Sequence, residues 1–411
     1  MSMQTCFMAR QPVVDRQLNL VGYELLFRSA DVGSANVTDT TLASAQVISD
    51  ALSGFGFKEL VGQHRGFINL AAETLLGEAV ELLPKEQVVL EILEDVEITG
   101  AVVARCRDLK RKGFRIALDD HRYGPEFEPL YPLIDIIKVD LLQHEPGTLA
   151  EAVAPLKRLP VTLLAEKVET YDQFRECAEL GFELFQGYFF AKPVVLKQKR
   201  VDIAGSALLR LLQKLMDDAD IGEIEEIYRQ NPNLTYNLLK LVNSVSMGLS
   251  VRITSLRHAI SLLGRRQLIR WTQLAMYARG SATTGGETLL ELSAMRGRLM
   301  ELLVIQRSGE VPDPEYHERA FMTGVLSLID VVFDVPMELV LSHITLSDDV
   351  RLALLYRNGE LGALLHIAEL IERSNFTAAV PYIEHLGISS ESLLNAQVAA
   401  IRWISELGES S

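Results

Sequence analysis

Two adjacent aspartates, Asp119 and Asp120, end the apolar run in GFRIALDDHRYGP, residues 113–125. Strand side chains alternate faces, so such a pair sends one carboxylate inward and leaves the other at the rim. Like charges this close repel, which leaves two explanations: the strand has reached solvent, or a cation sits between them. The other apolar runs of the first half carry polar groups at comparable places. GYELLFR holds Glu24, FINL holds Asn69, and LEILED holds Glu91 and Glu94. IIKVD holds Lys138 and Asp140, LLAEKVE holds Glu166 and Glu169, and FQGYFF holds Gln186. A lone polar residue after a strand is commonly a surface residue or a helix N-cap, and Glu94, Asp140 and Glu169 read equally well that way. A series over seven successive segments is not explained so simply. Carboxylates with an amide are hard oxygen ligands suited to Mg²⁺ or Mn²⁺. Two such ions would activate a water and steady both oxygens of a phosphoryl displacement.

Such a series needs a scaffold that brings strand ends together. Through about residue 195 the chain repeats short β-type runs, among them RGFINL, QVVLEIL, FRIALDD, DIIKVDL, VTLLAEKV and FELFQGYFF. Helix-like segments such as AVVARCRDLKRKG and YDQFRECAELG lie between them, the latter closed by a glycine stop. Strands alternating with helices predict parallel βα units, and six or more units favour a closed (β/α)8, TIM-like barrel. In that fold the C-terminal strand ends share one mouth, where the chemistry sits. Past Pro193 the texture changes. VVLKQKR reads as a polar hinge, and ALLRLLQKLM, RHAISLLGRRQLIRWTQLAMYA and ESLLNAQVAAIRWISEL read as amphipathic helices. The expected organisation is an α/β barrel over residues 1–197 and an all-α domain over 198–411.

Bulk properties narrow the function. A 411-residue chain with 48% hydrophobic and 23% charged residues suits two soluble domains with separate cores. No apolar run approaches the roughly 20 residues of a membrane span. MSMQTCFMARQPVVD lacks a signal-peptide layout, and three scattered cysteines form neither a disulfide framework nor a zinc pattern. A cytoplasmic location is expected. The net charge of −15 argues against general nucleic-acid binding, which relies on cations that neutralise phosphates. A small phosphate-bearing ligand remains compatible if metal ions or local cations receive it.

With these blocks in order, residues 5–195 resemble the EAL domain, a bacterial phosphodiesterase that linearises cyclic di-GMP. YELLFR stands at the name-giving segment, INL at the metal-binding Asn, and LEILE at E-L-T-E; LDD, IKVD, AEKVET and QGYFFAKP follow in the family's order. The resemblance implies that Glu24, Asn69, Glu91, Asp119, Asp120 and Glu166 ligate two ions, Mg²⁺ or Mn²⁺. It implies catalytic roles for Lys138, Glu166 and Gln186 around the nucleophilic water. Gln11 and Arg28 match positions that meet a guanine and a phosphate, and Glu94 and Glu169 match loop-positioning glutamates. Three positions depart from the pattern. Leu25 replaces the family's Ala, HRYGPEF replaces the loop F-G-T-G-Y-S-S, and Lys167 replaces the Gly of A-E-G-V-E. The family's loop folds tightly beneath the ligand, so its bulkier counterpart predicts a loosely held second ion and slow hydrolysis to linear pGpG.

The second half, about residues 200–400, resembles the HDOD domain, a relative of the HD phosphohydrolases. NPNLTYNLLKLVNS is followed by RITSLRHAISLLGRRQL, the family's helix, Asn-Ser turn and A-I-x-x-L-G helix. An HD metal site needs an adjacent His-Asp pair, whereas Asp330 in AFMTGVLSLID has no such neighbour. His258 and His317 read as surface or capping residues. The resemblance therefore implies a non-catalytic module that docks a protein partner. The expected partners are cyclic di-GMP and that protein, with a homodimer left open. Two alternatives stand beside this reading: a cyclic di-GMP receptor or scaffold without turnover, and a Mg²⁺-dependent barrel of the enolase type.

Overall fold

The computed structural model describes residues 6–29, 57–145, 147–189, 207–231, 256–279, 286–307, 313–333 and 335–409, with positions 234, 235, 238 and 242. The first-half strands are β1 (Cys6–Asp15), β2 (Leu20–Ser29), β3 (Arg65–Leu70), β4 (Val88–Ile92), β5 (Arg115–Leu118), β6 (Ile136–Asp140), β7 (Thr162–Glu166) and β8 (Leu184–Gln186). They close into a barrel in chain order. The expected barrel is present, with a correction to its first unit. β1 runs antiparallel to both neighbours, β2 and β8, while the other pairs are parallel. A tight turn replaces the first helix, and the Asp15 carboxylate accepts backbone hydrogen bonds there from Gln17 and Asn19 at 2.8 and 2.9 Å. Arg10, Gln11 and Pro12 interrupt the apolar alternation of β1 and hide it in the sequence.

Two helices show why the barrel frame is firm. In α1 (Gly100–Lys112) the Thr99 side chain caps the first turn and Gly113 ends the helix at φ +95°. In α2 (Tyr171–Leu180) Thr170 and Gln173 form a reciprocal capping box, which satisfies two otherwise orphaned N–H groups. A second departure follows β5, where two 3₁₀ turns, Pro125–Phe127 and Tyr131–Leu133, replace an α-helix.

The barrel interior is layered. Val13, Phe67, Val89, Ala117, Ile136 and Leu164 form one buried cluster, with Leu184 packed against it. β2 contributes Gly22 at this level, where a Cβ would lie 2.9 Å from the Phe67 ring. Each fully buried large side chain in this plug contributes about 1.5–3 kcal/mol. The next inward position is two residues along each strand, because side chains alternate. From β2 to β8 those positions are Glu24, Asn69, Glu91, Asp119, Lys138, Glu166 and Gln186. On antiparallel β1 the same level is reached two residues earlier, at Gln11. An apolar plug thus carries a polar ring at the mouth.

The chain divides into two compact units, Met1–Lys192 with Glu369–Arg402, and Pro193–Ala368 with Trp403–Ser411. The expected boundary at 197/198, the hinge VVLKQKR and most of NPNLTYNLLKLVNS lie outside the described residues. Within the second unit, Ala207–Met216 buries Leu208, Leu209, Leu211, Leu212 and Leu215 along one stripe. The run RHAISLLGRRQLIRWTQLAMYA, read as an amphipathic helix, lies in Leu256–Arg279, which is interrupted at Gly264, whose φ is +71°. Glycine takes that left-handed conformation without a Cβ clash. Among the described residues, no helix is long and apolar enough to cross a membrane.

Candidate functional site

Lys138 is fully buried at the centre of the polar ring. Its Nζ lies 2.8 Å from Asp119 Oδ1, 2.8 Å from Glu166 Oε1, 3.0 Å from Glu91 Oε1 and 3.3 Å from Glu24 Oε2. The amides complete the floor. Asn69 Nδ2 donates to Glu24 Oε1 at 2.8 Å, and Gln186 Nε2 donates to both Glu24 Oε2 and Gln11 Oε1 at 2.6 Å. Each of these residues stands on or just past a different strand at the same level of the barrel, so the barrel closure itself brings them together.

One lysine cannot neutralise four buried carboxylates, and their proton affinities show it. Burial lifts Glu91 well above the usual carboxylate range; Lys138 opposes this, and the charges of Glu24, Asp119 and Glu166 reinforce it. Burial likewise raises Asp119 and raises Glu166 strongly, again against Lys138. Glu24 is the exception. Burial pushes it up, but Lys138 and the hydrogen bonds from Gln186 and Asn69 together bring it below its ordinary value. Burial works against the Lys138 charge, yet the surrounding acids hold its ammonium well above the usual range. The mouth is short of positive charge.

The donor set fits hard divalent ions. Asn69 Oδ1, Asp120 Oδ1, Glu166 Oε2 and both Glu91 oxygens are buried without a hydrogen bond, as is Asp119 Oδ1. Glu91 Oε1 and Asp119 Oδ1 are within ion-pair distance of Lys138 but outside hydrogen-bond geometry. Asp119, Asp120 and Glu166 each offer an oxygen within 4.8 Å of the others. Buried acceptors of this kind are costly unless something positive meets them.

The two aspartates do not split between interior and rim as strand alternation predicts. Asp120 has φ +41°, which takes it out of the extended strand conformation in which side chains alternate. Their side chains are 13% and 17% exposed, and an oxygen of each lies within 4.8 Å of the other and of Glu166. The altered loop beyond them is a packed aromatic cluster. The His121 N–H donates to Lys138 O at 2.9 Å, and its ring meets Tyr131 Oη at 3.1 Å and the edge of Phe127. Tyr131 also stacks on Tyr123, with ring centroids 5.4 Å apart. Burial pushes the His121 imidazole down to about 4, so it packs as a neutral ring at neutral pH.

The structure sorts the remaining site expectations. Gln11 joins the ring through its hydrogen bond from Gln186. Arg28 lies near the end of β2, paired with Phe7, and its side chain lies outside what is described. Glu94 lies two residues past the end of β4 and is exposed, with no hydrogen bond or ion pair to the loop among the described residues. Glu169 is also exposed, just ahead of the Thr170 cap, and its N–H donates to Gln173 Oε1 at 2.9 Å. Asp140 is the N-cap of Leu141–Gln143, accepting from the Leu142 N–H at 2.8 Å. Its Oδ2 also lies 2.5 Å from Lys167 Nζ, a pairing that sequence spacing gives no sign of.

Comparison with known proteins places this geometry in a family. Residues 2–193 match the EAL domain and residues 206–333 match the HDOD domain. The cyclic di-GMP phosphodiesterase CdgJ of Vibrio cholerae is 30% identical over 416 residues, covering 99% of this chain and 94% of that protein. YuxH of Bacillus subtilis is 29% identical over 411 residues, 98% of each chain. An EAL domain protein structure from Listeria monocytogenes is similar over 46% of this chain and 89% of its own, with 23% identity and a TM-score of 0.37. With both domains matched in this order, and CdgJ aligned along nearly its whole length, the chain belongs to the EAL–HDOD family of cyclic di-GMP phosphodiesterases.

Proposed function

We propose that the barrel hydrolyses cyclic di-GMP to linear pGpG, using divalent ions, Mg²⁺ or Mn²⁺, at the mouth. The observation that carries this reading is the ring of buried, unsatisfied oxygens one level above the apolar plug. Glu24, Asn69, Glu91, Asp119, Asp120 and Glu166 would hold the ions. Ions in that set would lower the pKa of a water and offset charge on the phosphodiester oxygens. Gln186 has a second task. Its Nε2 is committed to Glu24 and Gln11, while its buried Oε1 has no hydrogen bond and is placed to accept one from a water. Lys138 favours the ionised form of the acids around it, against their burial, and places its charge in the same space. Arg28 has the planar fork suited to a phosphate oxygen pair.

The helical half serves in this reading as an interaction or regulatory module. Among the described residues, the group of acids close enough to share an ion lies in the barrel. A receptor without turnover is the second reading, favoured by the packed loop after Asp120 and by the cation of Lys167 beside it. Product analysis separates the two. Full-length protein incubated with cyclic di-GMP and Mn²⁺ should yield pGpG on chromatography, and a chelator should stop it. Tight binding with the cyclic nucleotide left intact would establish the receptor.

A further inference from the structure

We propose that Lys167 is a tethered cation that competes with a metal ion for Asp120 and sets how weakly the second ion is held. The inference rests on the metal-binding reading of the mouth and adds a residue that no ligand set contains. Lys167 follows Glu166 directly at the end of β7, with φ +56°. A lysine is disfavoured in that left-handed conformation, and glycine would take it freely. Asp120 is bent the same way, at φ +41°. The two bends lie at the ends of β5 and β7, on either side of β6, and Lys167 Nζ is 3.7 Å from Asp120 Oδ2.

Asp140 makes this approach persistent. It stands at the end of β6, is 5% exposed, and is fixed by its capping bond from the Leu142 N–H. Its Oδ2 holds Lys167 Nζ at 2.5 Å, so a side chain otherwise 48% exposed is anchored at its charged end. Two lysines then face the acids of the mouth, with Lys167 shared between Asp140 and Asp120. Lys138 serves Glu24, Glu91, Asp119 and Glu166 from the floor, and Lys167 serves Asp120 from the rim. A divalent ion held by Asp119, Asp120 and Glu166 would have to approach a carboxylate that already has the Lys167 ammonium 3.7 Å away. A half-exposed unit charge acting on such an ion across a few ångströms in a water-like dielectric changes affinity by about tenfold.

Calorimetric Mn²⁺ titration of the full-length chain tests this without any activity measurement. Lys167→Met keeps the stem and removes the charge, Lys167→Arg keeps the charge, and Lys167→Gly removes both charge and backbone strain. The first ion should bind alike in all four proteins. The second should bind about tenfold more tightly in the Met and Gly variants, or appear only in them, while the Arg variant follows the wild type. Equal second-ion affinity in wild type and Lys167→Met overturns the proposal. So does tightening confined to Lys167→Gly, which would assign the effect to the backbone. If no form takes up Mn²⁺ the metal reading of the mouth fails and this proposal falls with it, whereas tightening without turnover supports Lys167 and leaves the receptor reading.

Discussion

Replacing Lys138 by methionine is expected to destabilise the metal-free protein by about 3 kcal/mol at pH 8 and far less at pH 5. Lys138 is fully buried and faces four carboxylates, so its removal leaves buried charge uncompensated. The acids can respond by holding protons. Glu91, Glu166 and Asp119 already sit above their ordinary values, and loss of the lysine pushes them higher. The sign then follows from linkage. A carboxyl whose folded pKa is raised keeps protons that the unfolded chain gives up, so stability falls as pH rises from the unfolded value, near 4, through the folded one. The variant carries more of this penalty than the wild type, and Mn²⁺ should relieve it by binding the folded state. Urea unfolding at both pH values, with and without Mn²⁺, measures it. An equal loss at pH 5 and pH 8, or no loss at all, would refute the picture of an undercharged mouth.

The second large effect is on turnover. Asp120→Asn should reduce metal-dependent hydrolysis by about two orders of magnitude or more while leaving the fold intact. Asparagine matches aspartate in size and tolerates the left-handed conformation that Asp120 adopts. The swap therefore removes a charge without disturbing the turn. It takes one carboxylate from the group of Asp119, Asp120 and Glu166, whose oxygens lie within 4.8 Å of one another. An ion held there contributes on the order of several kcal/mol to charge stabilisation, and each 1.4 kcal/mol is about tenfold in rate. Initial rates by nucleotide chromatography, with circular dichroism as a fold check, measure the change. Wild-type rates in a folded variant would remove Asp120 from the machinery.

The polar ring was legible in the sequence because strand periodicity is strict. Asn69, Glu91, Asp119, Lys138, Glu166 and Gln186 each stand two residues beyond an apolar residue of the plug, and a strand has few ways to misplace such a pair. Gln11 obeys the same rule in reverse, two residues before Val13, but only the antiparallel direction of β1 makes the rule visible. Neighbouring residues in space were harder to read. Nothing in the spacing of Asp120, Asp140 and Lys167 announces that two left-handed residues bring them together at the rim. The loop after Asp120 shows the same limit. Its bulky residues signalled a departure, but not that His121, Tyr123, Phe127 and Tyr131 would pack as one cluster.

The central claim is that the acids of the mouth are a metal centre, and anomalous diffraction from crystals of the protein grown with Mn²⁺ tests it most directly. The account predicts manganese peaks bounded by Glu24, Asn69, Glu91, Asp119, Asp120 and Glu166, with the peak beside Asp120 the weaker. A mouth free of anomalous density at saturating Mn²⁺, with Lys138 still paired to all four acids, would contradict it.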